Sequence, residues 1–365
     1  MKNLIFILSA CIVLLAVSCK KNNELAPVNA ATPVSAATVK GTASTDKRTT
    51  TLYFAGLDGT NPVYWQDGTE HNLSISDTDD NGSRSVRGYT YNMAVAGTDV
   101  YITGHNGLNY VYWKNGTANI MPFSLYAQGV AVSGTDVYFA GTSFRDTPEY
   151  LYNLALLKNG TYTAVSHAGR SGYITGTVIA GTDVYYTGSD NPPNTTTTTV
   201  PVYWKNGVEH FLPVVSSPGS GSVYAMSVSG TDVYIAGQDG QEAVYWKNGV
   251  EHVLPMNGYV GAVTAMAVSG TDVYFAGTDF RSAVYWKNGV ETTLPLSNGG
   301  SAYSFVTGMA AGGSDIYIAG WEMSGNPVTN DNYDTPEYWK NGTVHTLPVT
   351  SAGGASVTAM AIAGR

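Results

Sequence analysis

Charge is scarce in this chain. Only 12% of its 365 residues are Asp, Glu, Lys or Arg, and the basic ones are scattered, with 18 against 27 acids and a net charge of −9. Without a basic cluster there is no electrostatic footprint for nucleic acid, nor for docking on anionic lipid. Cysteine is almost absent, with Cys11 and Cys19 alone. Long stretches with helical periodicity and capping signals are missing. So are a nucleophile–base motif, a glycine-rich phosphate loop and a His/Cys metal cluster. What is plentiful is glycine (42) and tyrosine (26). Short aliphatic runs bounded by Gly, Asn and Asp read as many short strands.

The N-terminus is organised for export. Lys2 followed by the apolar run Leu4 to Val17 has the form of a secretory signal, too short for a stable membrane span. Ala16-Val17-Ser18 precedes Cys19 and resembles a bacterial lipobox, with Ala16 where leucine is usual. The resemblance implies lipidation of Cys19. Cys11 lies inside the signal, so no internal disulfide is expected and the domain must rely on its core. Residues 19–50 are rich in Ala, Thr, Pro, Asn and Ser and read as a tether. The expected organisation is therefore 1–18 signal peptide, 19–50 lipidated cysteine and tether, and 51–365 folded domain.

One phrase recurs seven times: Tyr64-Trp-Gln-Asp-Gly68, Tyr112-Trp-Lys-Asn-Gly116, Leu156-Leu-Lys-Asn-Gly160, then Tyr-Trp-Lys-Asn-Gly from Tyr203, Tyr245, Tyr285 and Tyr338. A second phrase, Gly-Thr-Asp-Val-Tyr, starts at Gly97, Gly134, Gly181, Gly230 and Gly270, with Gly313-Ser-Asp-Ile-Tyr317 as a sixth copy. The spacing of 37 to 49 residues between its aspartates suits propeller blades of four strands. In the unit from Ser222 to Met256 the strands read Ser222 to Ser229, Val233 to Ala236, Ala243 to Lys247 and Val250 to Pro255. Asn248-Gly249 supplies a type I′ hairpin. The middle strands are apolar on both faces, as a sheet packed between two others requires. The Tyr-Trp pairs are then core between blades.

The C-terminus, Val357-Thr-Ala-Met-Ala-Ile-Ala363, lacks its continuation, which stands far upstream as Leu52-Tyr-Phe-Ala-Gly56. This split predicts an all-β, seven-bladed β-propeller of four-stranded antiparallel blades. The C-terminal strand completes the first blade, which removes edges that would otherwise invite aggregation. The chain resembles bacterial exported propellers built on Tyr-Trp-Lys-Asn-Gly repeats, a likeness that implies a fold and no activity.

Two loop sets differ. The a–b and c–d turns are nearly constant, whereas the b–c loops and d–a crossovers vary, and binding concentrates on variable loops. Two residues past the glycine of strand b stand Asp58, Asn106, Ser143, Asp190, Asp239, Asp279 and Glu322. They read either as caps of their own b–c turns or as an acidic funnel at the channel mouth for a cationic group. His105, Phe144, Arg145, Phe280, Arg281 and Trp321 are candidates for a ligand floor beside them. Asp77-Thr-Asp-Asp-Asn-Gly82 matches the first half of a calcium loop, with Asp77, Asp79 and Asn81 as ligands, but Gly88 stands where its closing acid belongs. Asp-Thr-Pro-Glu occurs at Asp146 and Asp334 and ends b–c loops. His71, His210, His252 and His345 recur in strand d and cannot share a metal.

The expected function is a lipid-anchored cell-envelope binding module, monomeric, holding a glycan, peptide or protein partner on the variable face. It is expected at the outer membrane or cell surface, touching membrane through its anchor alone. The alternatives are a glycan-active enzyme with a carboxylate pair at the channel mouth and a structural envelope-assembly domain. No cofactor is expected beyond calcium at the partial loop.

Overall fold

The computed structural model describes residues 50–75, 87–143, 153–165, 172–192, 199–216, 221–297, 303–326, 331–351 and 353–364. Asp77, Asp79 and Asn81, Cys19, and Phe144, Arg145 and Asp146 all lie outside them. The described residues form seven four-stranded antiparallel sheets and no α-helix. Each sheet is one blade, with strands a to d running outward. Blade 1 joins Ala355–Gly364 to Thr50–Asp58, Asn61–Gln66 and Thr69–Asn72. Blades 2 to 7 span residues 89–120, 125–164, 173–211, 221–253, 261–293 and 303–346. Successive a strands touch, and the last touches the first, so the ring closes. Thr50 pairs with Gly364 and Asp58 with Ala355, so the expected strand exchange between the ends is present.

The Tyr-Trp pair holds neighbouring blades together. Adjacent residues of a strand point to opposite faces, so each pair serves two interfaces. Trp286 of blade 6 packs into the cluster with Tyr234 and Ala243 of blade 5. Tyr245 of blade 5 meets Phe275 of blade 6, with ring centroids 4.6 Å apart. Trp65, Trp113, Trp204, Trp246, Trp286 and Trp339 are all fully buried. The strand-d histidines contribute as well. His71, His210, His252 and His345 stack on Tyr64, Tyr203, Tyr245 and Tyr338 at 4.6 to 4.8 Å.

Every strand a carries a bulge of one extra residue: Thr358, Tyr91, Gln128, Thr175, Tyr224, Thr264 and Thr307 in blades 1 to 7. A bulge bends its strand and re-aims its side chains. Here it also drives one strand-a carbonyl over strand b. That explains the glycine at position 56, 104, 141, 188, 237, 277 and 320. A Cβ there would collide with the carbonyl oxygen of Ser356, Tyr89, Tyr126, Tyr173, Ser222, Ala262 or Phe305.

The recurring phrases build one network at the end of the blade where the a–b and c–d turns meet. In blade 5 Asn248 adopts φ 52° and Gly249 φ 81°, as a type I′ turn demands. Asn248 Oδ1 accepts the Val233 N–H at 2.9 Å, and its Nδ2 donates to Asp232 Oδ1 at 2.9 Å. Asp232 Oδ2 holds Lys247 Nζ at 2.9 Å and accepts the Tyr234 hydroxyl at 3.4 Å. The lysine first, then the asparagine, keeps the carboxyl below its ordinary pKa. The same Lys–Asp contact recurs in blades 2, 3, 4, 6 and 7 at 2.7 to 2.8 Å. Among the described residues every ion pair is of this kind. Blade 1 departs: Thr51, Gln66 and Asp67 replace the aspartate, lysine and asparagine, and Asp67 Oδ1 accepts the Leu52 N–H at 2.8 Å.

Candidate functional site

At the opposite end of the blades strand b runs further than the sequence pattern implied. In blade 5 it reaches Asp239 and leaves a two-residue hairpin, Gly240-Gln241, before strand c. The acid is thus the last residue of a paired strand. It faces the crossover arriving from the preceding blade. Asp239 Oδ2 accepts the N–H groups of Val215 and Ser216, both at 2.8 Å. Asp279 Oδ2 accepts those of Asn257 and Gly258 at 2.8 and 2.7 Å. Asp58 Oδ2 accepts the N–H of Thr350 at 2.7 Å and of Ser351 at 3.0 Å, and the carboxylate takes both hydroxyls of that pair too. Ser297 donates to Glu322 Oε2 at 3.0 Å. Asp190 and Asn106 cap their own turns, accepting from Asn191 N–H and from the Leu108 and Asn109 N–H groups. Ser143 donates to Phe123 O of its crossover.

The expected acidic funnel would hold these carboxylates in solvent. The structure buries them: Asp58, Asp190, Asp239, Asp279 and Glu322 are 0 to 7% exposed, and Asp58, Asp239, Asp279 and Glu322 are bonded to crossovers. The reason is local. A crossover passing over a sheet presents backbone N–H groups that need acceptors once buried. Indole N–H groups pin the same segment from below. Trp65, Trp246, Trp286 and Trp339 donate to the carbonyls of Pro348, Pro213, Pro255 and Pro295 at 2.7 to 2.8 Å.

Each of four latches has a second carboxylate. Glu70, Glu251 and Glu291 occupy one position of strand d in blades 1, 5 and 6. Blade 7 has Val344 there and carries its glutamate on strand c. Glu337 replaces the valine of Val63, Val244 and Val284 and is fully buried. Burial first, then the neighbouring acid, raises Glu251 to about 7. Burial likewise lifts Glu337 to about 7, with Ser297 opposing and Glu322 adding. For Asp58, burial is more than offset by its hydrogen bonds from Ser351 and Thr350, and its pKa stays low. A carboxyl pushed up by burial beside a second acid is the pattern of an acid–base pair. These pairs are buried or half-buried against backbone and repeated around the ring, which makes them structural latches.

The b–c end does carry exposed chemistry. In blades 1 and 5 the first residue of the b–c hairpin is glycine with positive φ, Gly59 at 61° and Gly240 at 59°, and the second has no positive φ. This is the pattern of a type II′ turn, which calls for glycine first. Blade 6 places Phe280 there at φ 58°. A bulky side chain in that conformation costs on the order of 1–3 kcal/mol. The crossover has changed to admit it. Ser351 and Ser216 crowd the glycines, with Oγ atoms 2.8 and 3.0 Å from where a Cβ would stand. In blade 6 the matching residue is Gly258. Phe280 gains little burial in return, being 53% exposed.

Around Phe280 stand Tyr259, 85% exposed, and Tyr303, 39% exposed. Arg281 lies between two of these rings, its Cζ 5.0 Å from the Phe280 centroid and 4.7 Å from that of Tyr303. Trp321 stacks on Phe305, two residues along from Tyr303, at 4.3 Å. The structure therefore gathers Phe280 and Arg281 and sets Trp321 in the adjoining blade. Sequence reasoning missed Tyr259 and Tyr303. The signal available was the alignment of blades, where a phenylalanine stands against two glycines. A second aromatic group sits in blades 2 and 3, where Tyr126 meets Tyr91 at 4.8 Å and Tyr110 at 5.4 Å, and Tyr110 meets His105 at 5.4 Å. Burial first, then Tyr126, holds the Tyr91 hydroxyl far above its ordinary pKa.

A shallow cleft of about 330 Å³ lies at the other end, between blades 7 and 1, lined by Leu52, Phe54, Tyr317, Tyr338 and Lys340. No group of three or more metal-ligating side chains is gathered among the described residues.

No family model matches this chain, and no curated protein matches it in sequence. Among solved structures it is similar to the extracellular domain of a one-component system from B. thetaiotaomicron, with 10% identity and a TM-score of 0.44. That match covers 84% of this chain, which spans 46% of the other's length.

Proposed function

We propose that the chain is an exported, lipid-anchored binding module that takes its ligand on the face of the b–c loops and crossovers. One observation carries this reading. The opposite face repeats one self-satisfied ion-pair network six times, while the exposed rings of Tyr259, Phe280 and Tyr303, the last two packed on Arg281, lie on the crossover face. Conformational strain kept without a packing return marks function more often than stability. Glycans, peptides and proteins all present groups that such a surface can hold. The enzyme reading needs a carboxylate pair that a substrate can reach, and the pairs in blades 5 and 7 are closed by their crossovers.

The test is a glycan array on the protein, followed by hydrogen exchange with the ligand it finds. Protection is expected in the crossovers and b–c hairpins. Protection confined to the a–b and c–d turns would sink the assignment of the face. Export and anchoring rest on residues 1–19. Cys19→Ala should release the protein from membranes, and retention would refute the anchor. Calcium at Asp77, Asp79 and Asn81 rests on the motif alone; a calcium-independent melting temperature would remove it.

A further inference from the structure

We infer that the Phe280–Arg281–Tyr303 cluster, with Tyr259 beside it, is a subsite for a carboxylate-bearing sugar. This rests on the proposed binding face and narrows it to one place and one ligand class.

The argument starts from the turn. Blades 1, 5 and 6 share its length and register, each acid pairing with the residue three further on: Asp58 with Asn61, Asp239 with Glu242, Asp279 with Ser282. The two sister turns pair a glycine with a serine of the crossover. Blade 6 reverses the pair, with Phe280 on the turn and Gly258 in the crossover. Two coordinated changes at touching positions keep the aromatic ring in a conformation it disfavours. A Cβ on Gly258 would stand 3.1 Å from the Phe280 Cβ and collide with Asp279 Oδ1. The glycine therefore makes the room that Phe280 needs on the turn.

The ligand class follows from Arg281. The described lysines of the repeats are bound to aspartates, but Arg281 is exposed, and among the described residues no carboxylate lies within ion-pair distance of it. Phe280 and Tyr303 pack against the guanidinium, its Cζ 5.0 and 4.7 Å from their centroids, and its N–H donors have no carboxylate among the described residues to bind. The guanidinium fork matches a carboxylate bidentately. The flanking rings offer electron-rich faces to the C–H groups of a sugar ring. An extended acidic peptide fits less well. The strand leading into the turn, Asp272–Asp279, is already paired on both sides, so no backbone edge is open for strand addition.

The experiment uses the full-length protein in detergent. Its probes are polygalacturonate, alginate and hyaluronan, each beside its carboxyl-reduced form, and a poly-glutamate peptide. At least one acidic polysaccharide should bind, with its reduced form weaker by tenfold or more. Arg281→Lys, which keeps the charge but not the fork, should weaken that binding about tenfold. Phe280→Gly should weaken it similarly while raising the melting temperature by roughly 1–3 °C through relief of the turn. Gly258→Ser should lower the melting temperature alone and do so less in the Phe280→Gly background. Three results would overturn the inference: no acidic polysaccharide binding, binding indifferent to Arg281→Lys, or tighter binding of poly-glutamate. A neutral polymer whose binding protects the crossovers would also overturn it, yet leave the proposed face standing.

Discussion

The two ends of each blade are held by different physics. At the turn end a lysine, an aspartate, an asparagine and a tyrosine satisfy one another in the open, and blades 2 to 7 all carry the set. At the crossover end an indole N–H donates to a backbone carbonyl of the arriving crossover, and a buried carboxylate accepts its backbone N–H groups. Exposed ion pairs contribute little each. Buried acceptors contribute more, because removing one strands a desolvated donor. The end that anchors neighbouring blades through buried bonds is thus also the end whose loops vary. A crossover clamped at its root can change its tip without loosening the ring, as blade 6 has done.

Breaking both ends at once should have the largest effect. Strand Ala355–Gly364 runs the full height of blade 1, and its loss would unpair Thr50–Asp58 along its length. Deleting it should abolish the cooperative melting transition; an unchanged transition would refute closure by the C-terminal strand. Next comes the buried indole. Trp286→Ala removes a fully buried side chain and the bond to Pro255 O, and should cost about 3–5 kcal/mol by chemical denaturation. A loss below about 1 kcal/mol would mean that the core between blades 5 and 6 is elsewhere.

Glu337→Val tests a buried charge. The folded pKa near 7 lies above the ordinary 4.5, so the folded state favours the protonated carboxyl. Its penalty is absent below about pH 4.5, grows as the pH rises through 7, and is constant above. Val, as in the sister blades, should raise the melting temperature at pH 8 by a few degrees, about 4 °C, and far less at pH 5. A pH-independent change would rule out the charge as its cause. The smallest effect, and the sharpest comparison, sets one aspartate of blade 5 against another. Asp239→Ala on the crossover side should cost about 1–3 kcal/mol. Asp232→Ala at the turns should cost at most about 1 kcal/mol and depend on salt. Equal losses would erase the distinction between the ends.

The architecture was legible because repetition amplified weak signals. A single Asn-Gly turn or Tyr-Trp pair says little, but their recurrence fixes strand count, turn type and the inner and outer edges of each blade. The split of Val357 to Ala363 from Leu52 to Gly56 even exposed the closure. What stayed hidden was the partner of each acid. Asp239 looks like a turn residue in its own hairpin, and nothing near it in sequence shows that Val215 and Ser216 pass over it. The carboxylates bind across blades, between segments more than twenty residues apart. Phe280 and Arg281 were visible as an aromatic and a cation. Their partner Tyr303 was not, because it opens a strand whose start only the fold brings beside the turn.

The pairing of Thr50 with Gly364 has a topological consequence. A short linker from Gly364 to Thr50 would turn the described ring into a circle without a seam. New ends could then be cut in any exposed c–d turn, such as Asn248-Gly249, so that blade 5 becomes the blade assembled from two pieces. Its lysine–aspartate–asparagine set would stay together at the new C-terminal end, with strand Val250–Val253 supplied by the new N-terminus, while blade 1 would become continuous and still lack that set. Melting such permutants would separate what closure itself requires from what blade 1 inherited by being first.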